Sequence, residues 1–256
     1  WIESSAWSAL EDVAGLARGT YEPALVAGLP QPAQRYFSFM IRPGTPLCSA
    51  VELEMSGELG LGSRDAPGYR PMTAKQLLAP PYGLVWKLRS GLIAGSDGAT
   101  PSGSWTRFWV GGLIPIVRVR GDADHFRSAF GRVVAEAAFW APASLLPGET
   151  VSWEDVDANT ARAVVSFGAL RQAVDVTVNP DGQPTQVLIQ RWSNENPERI
   201  FRAQPFGGSL SEFKEFCGYR LPTRVEGGNH FGTDAYFPFY KVNVISIRCS
   251  GGGASS

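Results

Sequence analysis

Between Asp122 and Trp140 the chain reads DADHFRSAFGRVVAEAAFW, and this run limits the fold more than any other. Phe126, Ala129, Phe130, Val133, Val134 and Ala137 recur at helical spacing and share one face. The opposite face carries Gly131, Ala135 and Ala138, with Asp124 and Arg127 near the N-terminal end. A helix lying on a surface would present Lys and Glu there. Small residues instead imply that something packs close on that side too. A polar stripe of His125, Ser128, Arg132 and Glu136 runs along one flank. The spacing therefore predicts a helix clasped by other structure. Asp122 or Asp124 caps its start, and Pro142 stops it.

What clasps it is read from a change of period. Val51, Leu53, Met55 and Leu59 alternate with Glu52, Glu54, Ser56 and Glu58, the pattern of a half-buried strand with one wet face. Further strands are expected at 71–79, 83–91 and 104–119, separated by Pro80–Pro81 and by a Gly- and Ser-rich loop at 94–104. After the central helix, strands are expected at 150–156, 161–168, 172–178, 185–192, 209–217, 222–230 and 235–248. Asn179-Pro180-Asp181-Gly182 is a hairpin turn, because Pro presets φ and Gly accepts a positive φ. Cys217-Gly218-Tyr219 is a second turn. Two helices precede the strands. One covers 4–18, with Ala6, Leu10, Val13, Leu16 and Ala17 in a stripe and Gly19 at its end. The other runs from Ala33 to Ile41, opened by Pro30 and Pro32, with Tyr36, Phe37 and Met40 apolar.

Strands joined by hairpins give an antiparallel sheet. The expected fold is α+β: a single curved antiparallel sheet, an open half-barrel, wrapped around the central helix, with N-terminal helices. Residues 1–20 form an N-terminal helical segment, 21–249 the half-barrel domain, and 250–256 (from Gly251, GGGASS) a flexible tail. Low charge (18%), 29 Gly and 19 Pro suit a β-rich chain with many turns.

Several function classes fall away. Net charge is -1 with no basic patch, which argues against nucleic acid as a partner. There is no GxSxG elbow, no Gly-Lys dipeptide for a P-loop and no GxGxxG. His125 and His230 are too few for the usual zinc sites, so neither metal nor cofactor is expected. His125 and Ser128 share a helix flank, but spacing alone makes no nucleophile. Cys48, Cys217 and Cys249 lack metal spacing; one disulfide plus a thiol, or three buried thiols, both fit. No apolar run reaches the ~18–20 residues that span a bilayer. The first residue is Trp1, not Met, so a signal, an anchor or an artificial boundary is expected before it.

Several segments together carry a resemblance. They are LPQPAQRYF (29–37), PGTPL (43–47), PMTAKQLLAPPYGLVW (71–86), GLIPIVRVRG (112–121), GRVVAEAAFWAPASLLP (131–147), VSWEDVD (151–157) and GYRLPTRVE (218–226). In this order, from about Tyr21 to Arg248, the chain resembles an uncharacterised bacterial family of the DUF6544/DUF6920 type. The resemblance implies a lipoprotein-carrier (LolA/LolB-like) half-barrel with a hydrophobic hollow. It also implies an N-terminal membrane anchor, hence an extracytoplasmic or membrane-tethered place in the cell. The family pattern falls on Arg35, Tyr36, Trp86, Arg132, Glu136, Trp140 and Trp153. It departs at NPERIFRAQPFG (196–207) and at GGNHFGTDAYF (227–237).

Two functional readings follow. In the first the protein binds or carries a lipophilic or amphiphilic small molecule between helix and sheet. Arg132 would meet its anionic or polar head, and Trp86, Trp140 and Phe130 would line its tail, with Glu136 and Trp153 also among the ligand-binding residues. In the second, Glu136 is the general acid/base of a hydrolase or isomerase type of enzyme, with Arg132 beside it.

Overall fold

A computed structural model describes residues 2–14 and 19–250. The expectations for Leu16, Ala17 and the 251–256 tail lie outside the described residues. Helix α1 (Ile2–Ala14) and helix α2 (Gln31–Met40) precede the sheet. Six strands follow: β1 (Ala50–Gly60), β2 (Tyr69–Ala79), β3 (Gly83–Ser90), β4 (Ile93–Thr100), β5 (Gly103–Val110) and β6 (Ile114–Arg120). Helix α3 (Ala123–Trp140) comes next. Seven more strands follow among the described residues: β7 (Val151–Asp155), β8 (Thr160–Phe167), β9 (Leu170–Val178), β10 (Pro184–Ser193), β11 (Arg202–Phe216), β12 (Tyr219–Asn229) and β13 (Phe237–Ser250).

All thirteen strands form one antiparallel sheet, ordered β6-β5-β4-β3-β2-β1-β13-β12-β11-β10-β9-β8-β7. Each half is a meander of hairpins, and the β1–β13 pairing joins the halves. The connection between the two edge strands is α3 itself. A chain that leaves one edge and must re-enter at the other has to cross the sheet's face, and α3 makes that crossing. The main core packs Phe130, Val133, Val134, Ala137 and Trp140 of the helix against strands from both halves. The sheet therefore curves around α3, as the α+β half-barrel expectation requires.

The helix starts where Asp122 Oδ1 accepts the His125 backbone N–H at 2.9 Å. It ends before Pro142, with Ala141 as its cap. The small face is as close-packed as its residues imply. A Cβ on Gly131 would come within 3.0 Å of Gln172 Oε1 and 3.4 Å of Ile189 Cδ1. Helix α1 lies on the other face of the sheet, where Ala6 and Leu10 meet Leu77, Val85 and Trp105 in a second, smaller core.

Two expectations need correction. The stretch 94–104 is not a loop: most of it is strand β4, paired with both β3 and β5. Its glycines are strand residues because aromatic rings crowd them. A Cβ on Gly95 would strike Phe108, and one on Gly98 would strike the Trp105 ring. The span 104–119 is two strands, broken where Gly111 (φ 59°) and Gly112 (φ 74°) turn the chain in the left-handed region.

The cysteines divide by environment. Cys48 is buried and its thiol donates to Ala50 O at 2.8 Å, while Cys217 is exposed and Cys249 half-buried. The expectation of three buried thiols is not met, because Cys217 sits in the β11–β12 turn.

Candidate functional site

The two ends of α3 have different surroundings. At its C-terminal end, Trp140 is fully buried and donates Nε1–H to Pro222 O at 3.3 Å. Helix α2 closes this end: Tyr36 O–H donates to Ala138 O at 2.8 Å. Trp153 sits against Tyr36 and Phe37 and donates to Leu145 O at 2.8 Å. Burial here raises the Tyr36 hydroxyl pKa above its ordinary value.

At the N-terminal end lies a cleft of about 620 Å³. Its apolar wall includes Trp86, Phe108, Phe206, Phe239 and Tyr240. These rings come from β3, β5, β11 and β13, which the β1–β13 pairing brings to one side of the helix. Phe206 and Phe239 lie 6.2 Å apart between ring centres, as do Trp86 and Tyr240. The polar side of the cleft comes from the α3 stripe and its partners: His125, Ser128, Arg132 and Glu136, with Asp97, Thr106 and Arg191.

The stripe forms a continuous hydrogen-bonded chain. Gln76 Nε2 donates to Glu136 Oε2. Arg132 Nε donates to Glu136 Oε1 at 2.6 Å, and Arg132 Nη1 to Asp97 Oδ2 at 2.8 Å. Thr106 O–H donates to Asp97 Oδ1 at 2.6 Å. His125 follows, with Nε2 3.0 Å from Thr106 Oγ1 and Nδ1 2.7 Å from Ser104 Oγ. His125 thus meets Ser104 and Thr106 through its ring, not Ser128. The chain ties α3 to β2, β4 and β5, all in the first half of the sheet.

Arg132 is held between two carboxylates and over the Trp86 ring, 5.0 Å from its centre. Burial works against its charge, but Glu136 and Asp97 outweigh that and raise its pKa above the ordinary arginine value. Burial likewise raises the Tyr240 hydroxyl, with the Glu136 charge adding to it.

Of the residues singled out in the sequence, the structure brings Arg132, Glu136 and Trp86 together at the cleft. It puts Trp140, Phe130 and Trp153 in the packed core instead. The correction has a simple cause. A helix clasped on both faces buries its aromatics whether or not a ligand is near, so their abundance does not separate wall from core. Arg191 was missed. It sits on β10 in line with buried Val187 and Ile189, so a charged residue at a period-two core position was the available signal. Phe108, Phe206, Phe239 and Tyr240 were missed for want of topology.

The model of a family described as "Family of unknown function (DUF6544)" matches residues 19–242, so the chain belongs to that family. No curated protein matches it. Among solved structures the chain is similar to a LolA superfamily protein from Nitrosomonas europaea. There the identity is 10%, coverage is 85% of this chain and 91% of that one, and the TM-score is 0.47. It is also similar to a putative outer membrane lipoprotein-sorting protein domain from Vibrio parahaemolyticus. In that case identity is 11%, coverage 81% and 88%, and TM-score 0.41.

Proposed function

We propose that this DUF6544 member binds a lipophilic or amphiphilic small molecule in the cleft at the N-terminal end of α3. One observation carries the reading: a cleft of about 620 Å³ with an aromatic wall on one side and fixed polar groups on the other. That size and that division between apolar lining and a few placed polar groups are those of ligand sites in general. A carrier of such molecules collects and releases them at a membrane, so the proposal extends to work beside a lipid surface.

The catalytic reading of Glu136 has less to rest on. Each of its carboxylate oxygens already accepts a hydrogen bond, one from Arg132 and one from Gln76, and the Arg132 charge favours the ionised form. A general base needs an oxygen within reach of the substrate's proton. Glu136 and Arg132 act here as the brace that holds the cleft's polar side in shape.

The test is displacement of an environment-sensitive fluorophore by long-chain amphiphiles, on folded wild type and Trp86→Ala. Micromolar displacement is expected for the wild type. The variant should bind more weakly by about 1–3 kcal/mol for the lost apolar contact. A wild type that takes up neither the fluorophore nor any amphiphile at micromolar concentration overturns the proposal.

A further inference from the structure

We propose that Arg191 is the head-group contact of this cleft and that the ligand is an amphiphile with an oxyanion head, carboxylate or phosphate. This rests on the binding reading above and gives it a chemical class. Every carboxylate lining the cleft already faces a cation other than Arg191. Asp97 and Glu136 both hold Arg132, and Glu195 faces Arg199 at 3.5 Å. Among the described residues no carboxylate forms an ion pair with Arg191.

The Arg191 guanidinium is nonetheless well placed. Its Nε donates to Ser128 O at 3.3 Å, and its central carbon lies 4.8 Å from the Phe206 ring centre. Those two contacts fix the plane of the group. No acceptor among the described residues meets its two terminal amino groups, neither is fully buried, and Arg191 is among the residues that line the cleft. Two parallel N–H donors in a fixed plane match the spacing of carboxylate or phosphate oxygens. A half-buried cation without a counter-ion is also costly by itself. Burial, and then the like charge of Arg132, lower its pKa below the ordinary arginine value, against the weaker opposing pull of the Asp97, Glu136 and Glu195 charges, none of which reaches it as an ion pair. An arriving anion relieves that cost. From Arg191 the wall runs through Phe206 to Phe239, which gives an apolar tail a surface to follow.

The test is calorimetric titration of the wild type with dodecanoate, dodecyl phosphate, 1-dodecanol and dodecyltrimethylammonium, each below its micelle-forming concentration. Both anions are expected to bind at least roughly tenfold more tightly than the alcohol, as one charge-assisted hydrogen-bond pair implies, and the cation most weakly. In Arg191→Leu the anions should fall to the affinity of the alcohol while the alcohol itself is unchanged. Arg191→Lys should keep part of the preference, since the charge remains and the fork is lost. The ranking of dodecanoate against dodecyl phosphate tells a fatty-acid head from a phosphate one. Equal binding of dodecanoate and dodecanol by the wild type overturns the Arg191 proposal while leaving the cleft as a binding site. An anion preference that survives in Arg191→Leu overturns it as well. A wild type that binds none of the four removes the binding reading along with it. The wild-type comparison decides even if the leucine variant does not fold.

Discussion

The two ends of α3 are made from the same helix and the same sheet, yet one is closed and the other open. At the closed end, every large side chain meets another: Trp140, Tyr36 and Phe37 are fully buried, and their polar atoms are met by backbone carbonyls where they reach any. At the open end, aromatic rings line a cleft and the helix presents charged residues instead. The difference teaches that a fully wrapped helix does not by itself imply a hollow. The hollow lies at the end away from the Tyr36–Ala138 contact with α2, beside the polar stripe.

The same contrast recurs between two arginines at the open end. Arg132 has two carboxylate partners and a raised pKa; Arg191 has none and a lowered one. One is bound into the fold by two ion pairs, and the other lines the cleft with none.

Four substitutions break or sharpen the comparison, taken from the largest effect down. Trp140→Ala at the closed end should lower stability by about 3–5 kcal/mol in a denaturant melt, through the cavity left behind. A loss below about 1 kcal/mol would mean that the closed end is not packed as described. Arg132→Leu comes next, at roughly 3 kcal/mol, because Asp97 and Glu136 would both remain without their cation. Glu136→Gln should cost about 1–3 kcal/mol, since Arg132 keeps Asp97 and loses one charge partner. A melt indistinguishable from wild type would place that flank outside the buried network. Arg191→Leu should be smallest, within about 0.5 kcal/mol and toward greater stability. A group whose charged form is disfavoured in the folded state gives stability back when the charge is removed. A large loss in that variant would make Arg191 a structural residue like Arg132.

How much of this was legible can be judged residue by residue. Helix α3 was readable to within a residue, because its 3.6-period and its capping Asp122 are local signals. So was the polar flank, since spacing alone aligns His125, Ser128, Arg132 and Glu136. Their partners Gln76 and Asp97 were not readable, because each lies on a strand whose neighbours are set by pairing between distant segments. Strand β4 was missed because its glycines resemble loop residues, and only the rings of Trp105 and Phe108 on the next strand explain them. The aromatic wall was hidden for the same reason: Phe108 joins Phe206 and Phe239 at one cleft only after β1 has paired with β13. Arg191 was the exception, since its inward parity on β10 could have been read without any structure.

The most direct test of the central claim, that the open end is a ligand site and the closed end is core, is native mass spectrometry of the full protein purified without detergent from its own host. The expected spectrum contains, beside the bare chain, a species carrying one small acidic molecule that is released on collisional activation and is absent from Arg191→Leu prepared identically. A spectrum of bare chain alone, from protein that also takes up no added dodecanoate or 1-dodecanol, would contradict the account.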